Sequence, residues 1–175
     1  MDIRKKTQFM TMTALLTAIA ILIPIIMPFK IVIPPASYTL GSHIAIFIAM
    51  FLSPLMAAFV IIASSLGFLM AGYPMVIVLR AFSHIVFGIL GAFYLKKFPE
   101  TLDRSKASWI FNFVLGVVHA IAEVVACIIF YATSGTNVEN MFYVLFVLVG
   151  FGTIVHSMVD YTLALAVYKV LRKRR

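Results

Sequence analysis

Pro74-Met-Val-Ile-Val-Leu-Arg-Ala-Phe-Ser-His-Ile-Val-Phe-Gly-Ile-Leu-Gly-Ala-Phe-Tyr94 is an apolar run long enough to cross a bilayer, with an arginine inside it. An ionised group at that depth costs roughly 3 kcal/mol on insertion scales. Folding recovers the cost only if the guanidinium faces the protein interior, a wet cavity or an anion. Arg80 therefore marks a candidate binding site, and its fixed charge calls for something acidic in the ligand.

The rest of the chain agrees with a membrane setting. It is 63% hydrophobic and 11% charged, against about 25% charged in soluble domains. Its mean hydropathy is +1.10. Too few polar groups are present to cover an aqueous surface, so the fold class is an all-α integral membrane protein. The 175 residues suit one compact bundle and leave no room for a soluble catalytic domain. A net charge of +8 does not point to nucleic acid, because the basic residues sit at the ends of apolar segments. Cys127 is the single cysteine, which excludes an intramolecular disulfide and a thiolate cluster. Arg4-Lys5-Lys6 before an apolar segment has the look of a signal peptide, but Ile23–Pro28 offers no small-residue cleavage site, so a retained first helix is expected.

Proline and glycine breaks predict six transmembrane helices in a single domain, 1–175. Their expected bounds are about 8–27, 42–52, 54–70, 75–94, 108–131 and 141–171. Phe29–Tyr38, with β-branched residues and the Pro34-Pro35 pair, reads as an extended, ordered loop that packs over something. Twelve of the fourteen Lys and Arg residues precede helix one, join helices four and five, or end the chain. The positive-inside rule puts both termini in the cytoplasm. The loops at 29–41, 71–74 and 132–140 then face outward.

Arg80 lies roughly 9 Å below the outer turn at Pro74, and His84 is one helical turn deeper on the same face. Helix five carries His119 and Glu123 at the same spacing, and helix six carries His156 and Asp160. Three pairs of ionisable residues on apolar helices are solvated only by converging. Arg80 with Glu123 reads either as a ligand clamp or as an ion pair that fixes packing. His119 either orients Glu123 or bonds a carbonyl. His43 reads as a cap-region residue or a site residue. His156 with Asp160 is expected deeper, as a structural hydrogen bond. No helix carries His-x-x-x-His or His-x-x-Glu-His, so no metal is expected. Asp160 is the only intramembrane Asp, and Ser64 and Ser65 have no Gly-x-Ser setting, so the chain does not read as an enzyme.

Helix one adds a small-xxx-small pattern, Ala14-Leu-Leu-Thr-Ala18, which permits close helix approach. Thr11, Thr13, Thr17 and Ala20 extend it. The alternative is ordinary packing inside the monomer.

Together these features resemble the substrate-binding S component of an energy-coupling factor (ECF) vitamin transporter. The size, the helix count, the Ala14-x-x-x-Ala18 signature and the segment Phe29–Tyr38 carry the resemblance. Val32-Ile-Pro-Pro-Ala-Ser-Tyr-Thr-Leu-Gly-Ser-His43 and Val78-Leu-Arg-Ala-Phe-Ser-His84 look most like the niacin-type members. Pyridoxine, hydroxymethylpyrimidine and pantothenate members are rivals. The resemblance implies a transmembrane coupling subunit reached through Ala14 and Ala18, and two cytoplasmic ATPases. It implies no cofactor in this chain, which has no phosphate-binding Gly-x-x-x-x-Gly-Lys-Ser/Thr motif; ATP is used by the partners. With nicotinate as ligand, Arg80 grips the carboxylate. Tyr38, Tyr73 or Tyr143 stacks on the ring, and Glu123, His119 or Asn140 bonds its nitrogen. Two other readings are a stand-alone secondary transporter with a His156/Asp160 proton path, and a structural protein whose buried charges only fix packing.

Overall fold

The computed structural model describes residues 3–33, 35–135 and 139–173. Pro34, residues 136–138 of the expected outer loop, and two residues at each terminus lie outside them. The elements run α1 (Ile3–Ile26), β1 (Lys30–Ile33), β2 (Ala36–Thr39), α2 (Ile44–Leu52), α3 (Pro54–Met70), α4 (Met75–Lys97), a 3₁₀ turn (Pro99–Leu102) and α5 (Ser105–Ser134). A π-helical stretch (Tyr143–Phe151) then leads into α6 (Gly152–Lys173).

Four helical segments are long and apolar enough to span: α1, α4, α5 and the continuous run Tyr143–Lys173. This shows a multi-pass all-α membrane protein: the six expected helices are present, and among the described residues four helical segments have spanning length. α3 has 17 residues. α2 has only 9, so it is about 13 Å long against a hydrocarbon core of about 30 Å. α2 is instead an interior helix: every residue from Ala45 to Phe51 is buried, enclosed by α1, α3, α4 and α6. Ser53-Pro54 separates it from α3. Ser53 is extended and its side chain accepts from Met56 N at 3.2 Å, while Pro54 occupies the first helical turn, where its missing N–H is harmless.

Other boundaries also move. α1 begins at Ile3, so Arg4, Lys5 and Lys6 lie on its first turn rather than before it. Pro24 falls inside α1 and does not end it at that point. α5 extends about a turn beyond its expected bounds at each end. The expected loop after α1 is a β-hairpin, with Lys30 opposite Thr39 and Ile33 opposite Ala36. β1 is exposed along its length, whereas Ala36 and Thr39 of β2 are buried. At the opposite end of the bundle Arg172 pairs with Asp103 at 2.5 Å and 3.3 Å, tying α6 to the α4–α5 connection. The guanidinium holds the exposed Asp103 carboxyl below its ordinary range.

The apolar core falls in two parts. One surrounds α2, with Phe47, Met50, Phe87, Phe111 and Tyr161. The other lies under the hairpin, with Ala36, Val76, Val124, Cys127, Leu145 and Val149. The ionisable residues converge between them.

Candidate functional site

All four histidines of the chain meet at one place. The His43 ring lies edge-on to those of His84 (4.7 Å between centroids), His119 (4.9 Å) and His156 (5.0 Å). They come from the N-cap of α2 and from α4, α5 and α6. His119 also packs on Phe87 at 4.2 Å, which closes the cluster on the α2 side.

Two carboxylates organise this cluster. Glu123 of α5 accepts from Arg80 Nη2 at 2.8 Å, from Thr153 Oγ1 at 2.5 Å and from His84 Nε2 at 3.1 Å. His119 Nε2 approaches it at 3.5 Å without hydrogen-bond geometry. Asp160 of α6 caps α2: Gly41 N donates at 2.7 Å and His43 N at 2.9 Å, while His43 Nδ1 lies 3.1 Å away. A carboxylate at a helix N-terminus satisfies orphan N–H groups and opposes the positive dipole end. Gly41 makes the approach possible, because its φ of +81° suits glycine. His156 Nε2 lies 3.4 Å from Asp160 and 3.1 Å from Ser42 Oγ. His156 and Asp160 therefore join the same site and are not a separate, deeper pair. With its oxygens engaged as a helix cap, Asp160 gives the proton-path reading no support.

Arg80 is 5% exposed. Its Nη1 donates to the Pro35 carbonyl at 2.9 Å and its Nη2 to Glu123, while Nε is buried without an acceptor among the described residues. The guanidinium thus pins the hairpin over the site and keeps one donor unused. Tyr38 adds a second fastening. Its ring lies 6.0 Å from the Arg80 guanidinium carbon and 5.4 Å from His156, and its hydroxyl donates to Leu148 O. Leu148 belongs to the π-helical stretch, a distortion common at functional sites.

Beneath the hairpin is a cavity of about 70 Å³. Arg80, His84, His43, Glu123, His156 and Tyr73 line its polar and aromatic sides, and Ala20, Pro24, Ile46, Phe68 and Ile77 its apolar ones. Of the expected site residues, Arg80, His84, Glu123, His119, His43 and Tyr38 come together, and Tyr73 lies on the cavity wall against Phe68, 5.0 Å between ring centroids. Asn140 and Tyr143 do not. Both are exposed, and Asn140 has a left-handed φ of +53° and accepts from Val144 N through its carbonyl. Two groupings have metal-ligand spacing: His43, His84 and His119, and His43, His156 and Asp160. Neither shows as a pair of histidines on one helix, because each histidine comes from a different element.

A profile of the family "ECF-type riboflavin transporter, S component" matches residues 4–173. The chain belongs to this S-component family. It is also 42% identical over 171 residues, 97% of this chain and 77% of the other, to the niacin transporter NiaX of Lactococcus lactis subsp. cremoris (strain MG1363). No solved structure matches. Both relatives are transporters, not enzymes. The likeness to NiaX supports the niacin-type resemblance drawn from residues 32–43 and 78–84.

In this S component the Ala14 and Ala18 methyl groups lie on the exposed side of α1, whereas Leu16 and Ala20 point into the bundle. The small-residue stripe is thus not used for packing inside the monomer. Ala20 belongs to the cavity side instead. Residues missed from the sequence are the small hydroxyls that serve the cluster: Ser37, Thr39 and Ser42 on the cavity wall, Thr153 on Glu123, and Ser157 on His119. A signal existed for the last two. Thr153, Ser157, Asp160 and Ala164 form one buried stripe at helical spacing.

Proposed function

We propose that this chain captures nicotinate for an ATP-driven vitamin uptake transporter. The observation that carries the reading is Arg80, a buried cation with an unused Nε–H on a small cavity between apolar walls. A carboxylate there gains a charge-assisted bond. At about 70 Å³ the cavity has to enlarge even for a single ring, since about 150 Å³ holds benzene, and far more for the three fused rings and side chain of riboflavin. The similarity to NiaX supports the same choice.

In this reading both termini face the cytoplasm and the hairpin faces outward. Ligand enters when the hairpin lifts, and Arg80 exchanges the Pro35 carbonyl for the carboxylate. Tyr38 and Tyr73 stack near the ring. Closure then dries the pocket and strengthens every polar contact. Ala14 and Ala18, exposed and small, let a helix of a transmembrane coupling subunit approach closely, and two cytoplasmic ATPases supply the energy.

A thermal-shift screen of the purified chain against nicotinate, riboflavin, pyridoxine, hydroxymethylpyrimidine and pantothenate tests the ligand, since binding to the folded state raises its stability. Nicotinate should give the largest shift. A larger shift with any other vitamin would replace the assignment.

A further inference from the structure

Three buried histidines from three elements share more than proximity. Each has one ring nitrogen held by an oxygen of the surrounding shell. His43 Nδ1 meets Asp160 at 3.1 Å, His84 Nε2 meets Glu123 at 3.1 Å, and His119 Nδ1 meets Ser157 Oγ at 3.1 Å. Metal-binding histidines are built this way. One nitrogen is fixed by an oxygen partner, and the other presents its lone pair to the ion. His119 Nε2 is the nitrogen left for this: it is fully buried and makes no hydrogen bond among the described residues, with Glu123 Oε1 3.5 Å away. A buried polar atom left unpaired inside a polar cluster points to a missing ligand.

Spacing and charge agree. The three residues offer ligand atoms that all lie within 4.8 Å of one another. A zinc–nitrogen bond of about 2.0–2.1 Å places tetrahedral ligands about 3.4 Å apart, so the rings need to draw in by about 1 Å. With neutral imidazoles, the site holds the Arg80 guanidinium against the Glu123 and Asp160 carboxylates, a net single negative charge. A divalent cation reverses that sign, and a carboxylate ligand then brings the site to neutrality. The second grouping, His43 with His156 and Asp160, is the weaker candidate because Asp160 is occupied in capping α2.

We propose that His43, His84 and His119 bind one zinc-class divalent transition-metal ion beside the cavity. Three histidines leave a fourth coordination position, and it opens toward the cavity that His43 and His84 line. Imidazole suits zinc, copper, nickel and iron, and a tetrahedral three-nitrogen set favours zinc. A pyridine nitrogen is a ligand of the same class as imidazole. This second step rests on the nicotinate reading; the three-histidine site itself does not.

The test uses the full chain, purified in detergent without a polyhistidine tag and stripped with EDTA. Cobalt(II) is titrated in as a visible probe, and zinc is used to displace it. One equivalent should give a tetrahedral absorption band that zinc abolishes. His119→Gln should weaken cobalt binding by more than about 100-fold, because loss of an outer partner alone costs about 10–100-fold. Ser157→Ala is the mild variant that keeps the ligands, and it should weaken binding about tenfold. Adding nicotinate should shift the cobalt band, and zinc should tighten nicotinate binding at least tenfold. No cobalt band, or a band that survives His119→Gln and Ser157→Ala unchanged, would overturn the metal site. Nicotinate binding to the stripped chain would then still stand as a separate result. A cobalt band that forms but ignores nicotinate would overturn the open coordination position.

Discussion

Replacing Arg80 separates its work for the ligand from its work for the fold. The guanidinium touches Glu123 at 2.8 Å and Pro35 O at 2.9 Å, with both charged partners almost fully buried. Arg80→Ala strands the Glu123 carboxylate, and breaking a buried pair from one side costs about 3–5 kcal/mol of stability. Arg80→Ala combined with Glu123→Gln leaves no orphan charge, and the neutral amide still has Thr153 and His84 beside it. Much of the stability should therefore return. The ligand contact cannot return, because the cation is gone. Its loss is worth about 1.5–3 kcal/mol, or about 10–150-fold in Kd. The assay is a thermal melt with and without nicotinate, followed by isothermal titration of each folded variant. The expected result is recovered melting temperature with unrecovered affinity. A double variant that binds nicotinate as tightly as the unsubstituted chain would refute the clamp and leave Arg80 as a packing ion pair.

Three further outcomes follow from the geometry. Gly152→Ala places a Cβ against the Tyr38 hydroxyl and ring, closer than such atoms approach in folded proteins, so Tyr38 must leave Leu148 O; losing a hydrogen bond worth about 1 kcal/mol should speed nicotinate release about fivefold in stopped-flow measurements. Asp160→Asn weakens the α2 cap and the His43 contact, at about 1–3 kcal/mol, and the ligand-free melting temperature should fall by about 2–4 °C per kcal/mol. Ala14→Trp with Ala18→Trp should leave the nicotinate Kd nearly unchanged, because both positions are exposed and away from the cavity, but should eliminate co-purification with the coupling subunit and ATP-dependent uptake; retained uptake would remove these residues from the docking surface.

The membrane fold is legible in the sequence because hydropathy and proline breaks act locally. Ser53-Pro54 and Ala71–Pro74 end helices wherever the rest of the chain lies. What surrounds a helix is not legible where tertiary context decides it. The 42–52 segment reads as a short helix and α2 is short; its apolarity does not tell whether lipid or other helices surround it. The hairpin reads only as an extended loop, because four-residue strands show no alternation and Lys30–Ile33 is exposed on both faces. Convergence of Arg80, His84, His119 and Glu123 follows from the cost of isolated charges in lipid. The same cost brings in His156 and Asp160, but their place beside the other four does not follow from it, because depth counted along straight helices ignores that the start of α2 brings His43 and Gly41 to Asp160. Only loop proximity suggests Asn140 and Tyr143 as site residues, and both side chains are exposed.

The central claim is that Arg80 selects an acid in this cavity. Side-by-side isothermal titration of nicotinate and nicotinamide into the same purified chain tests it most directly. The two molecules share ring, size and ring nitrogen, and differ in the charge that meets the guanidinium. One equivalent of nicotinate should bind at least about tenfold more tightly than the amide, the lower bound for a charge-assisted bond. Equal affinities, or tighter binding of nicotinamide, would contradict the account.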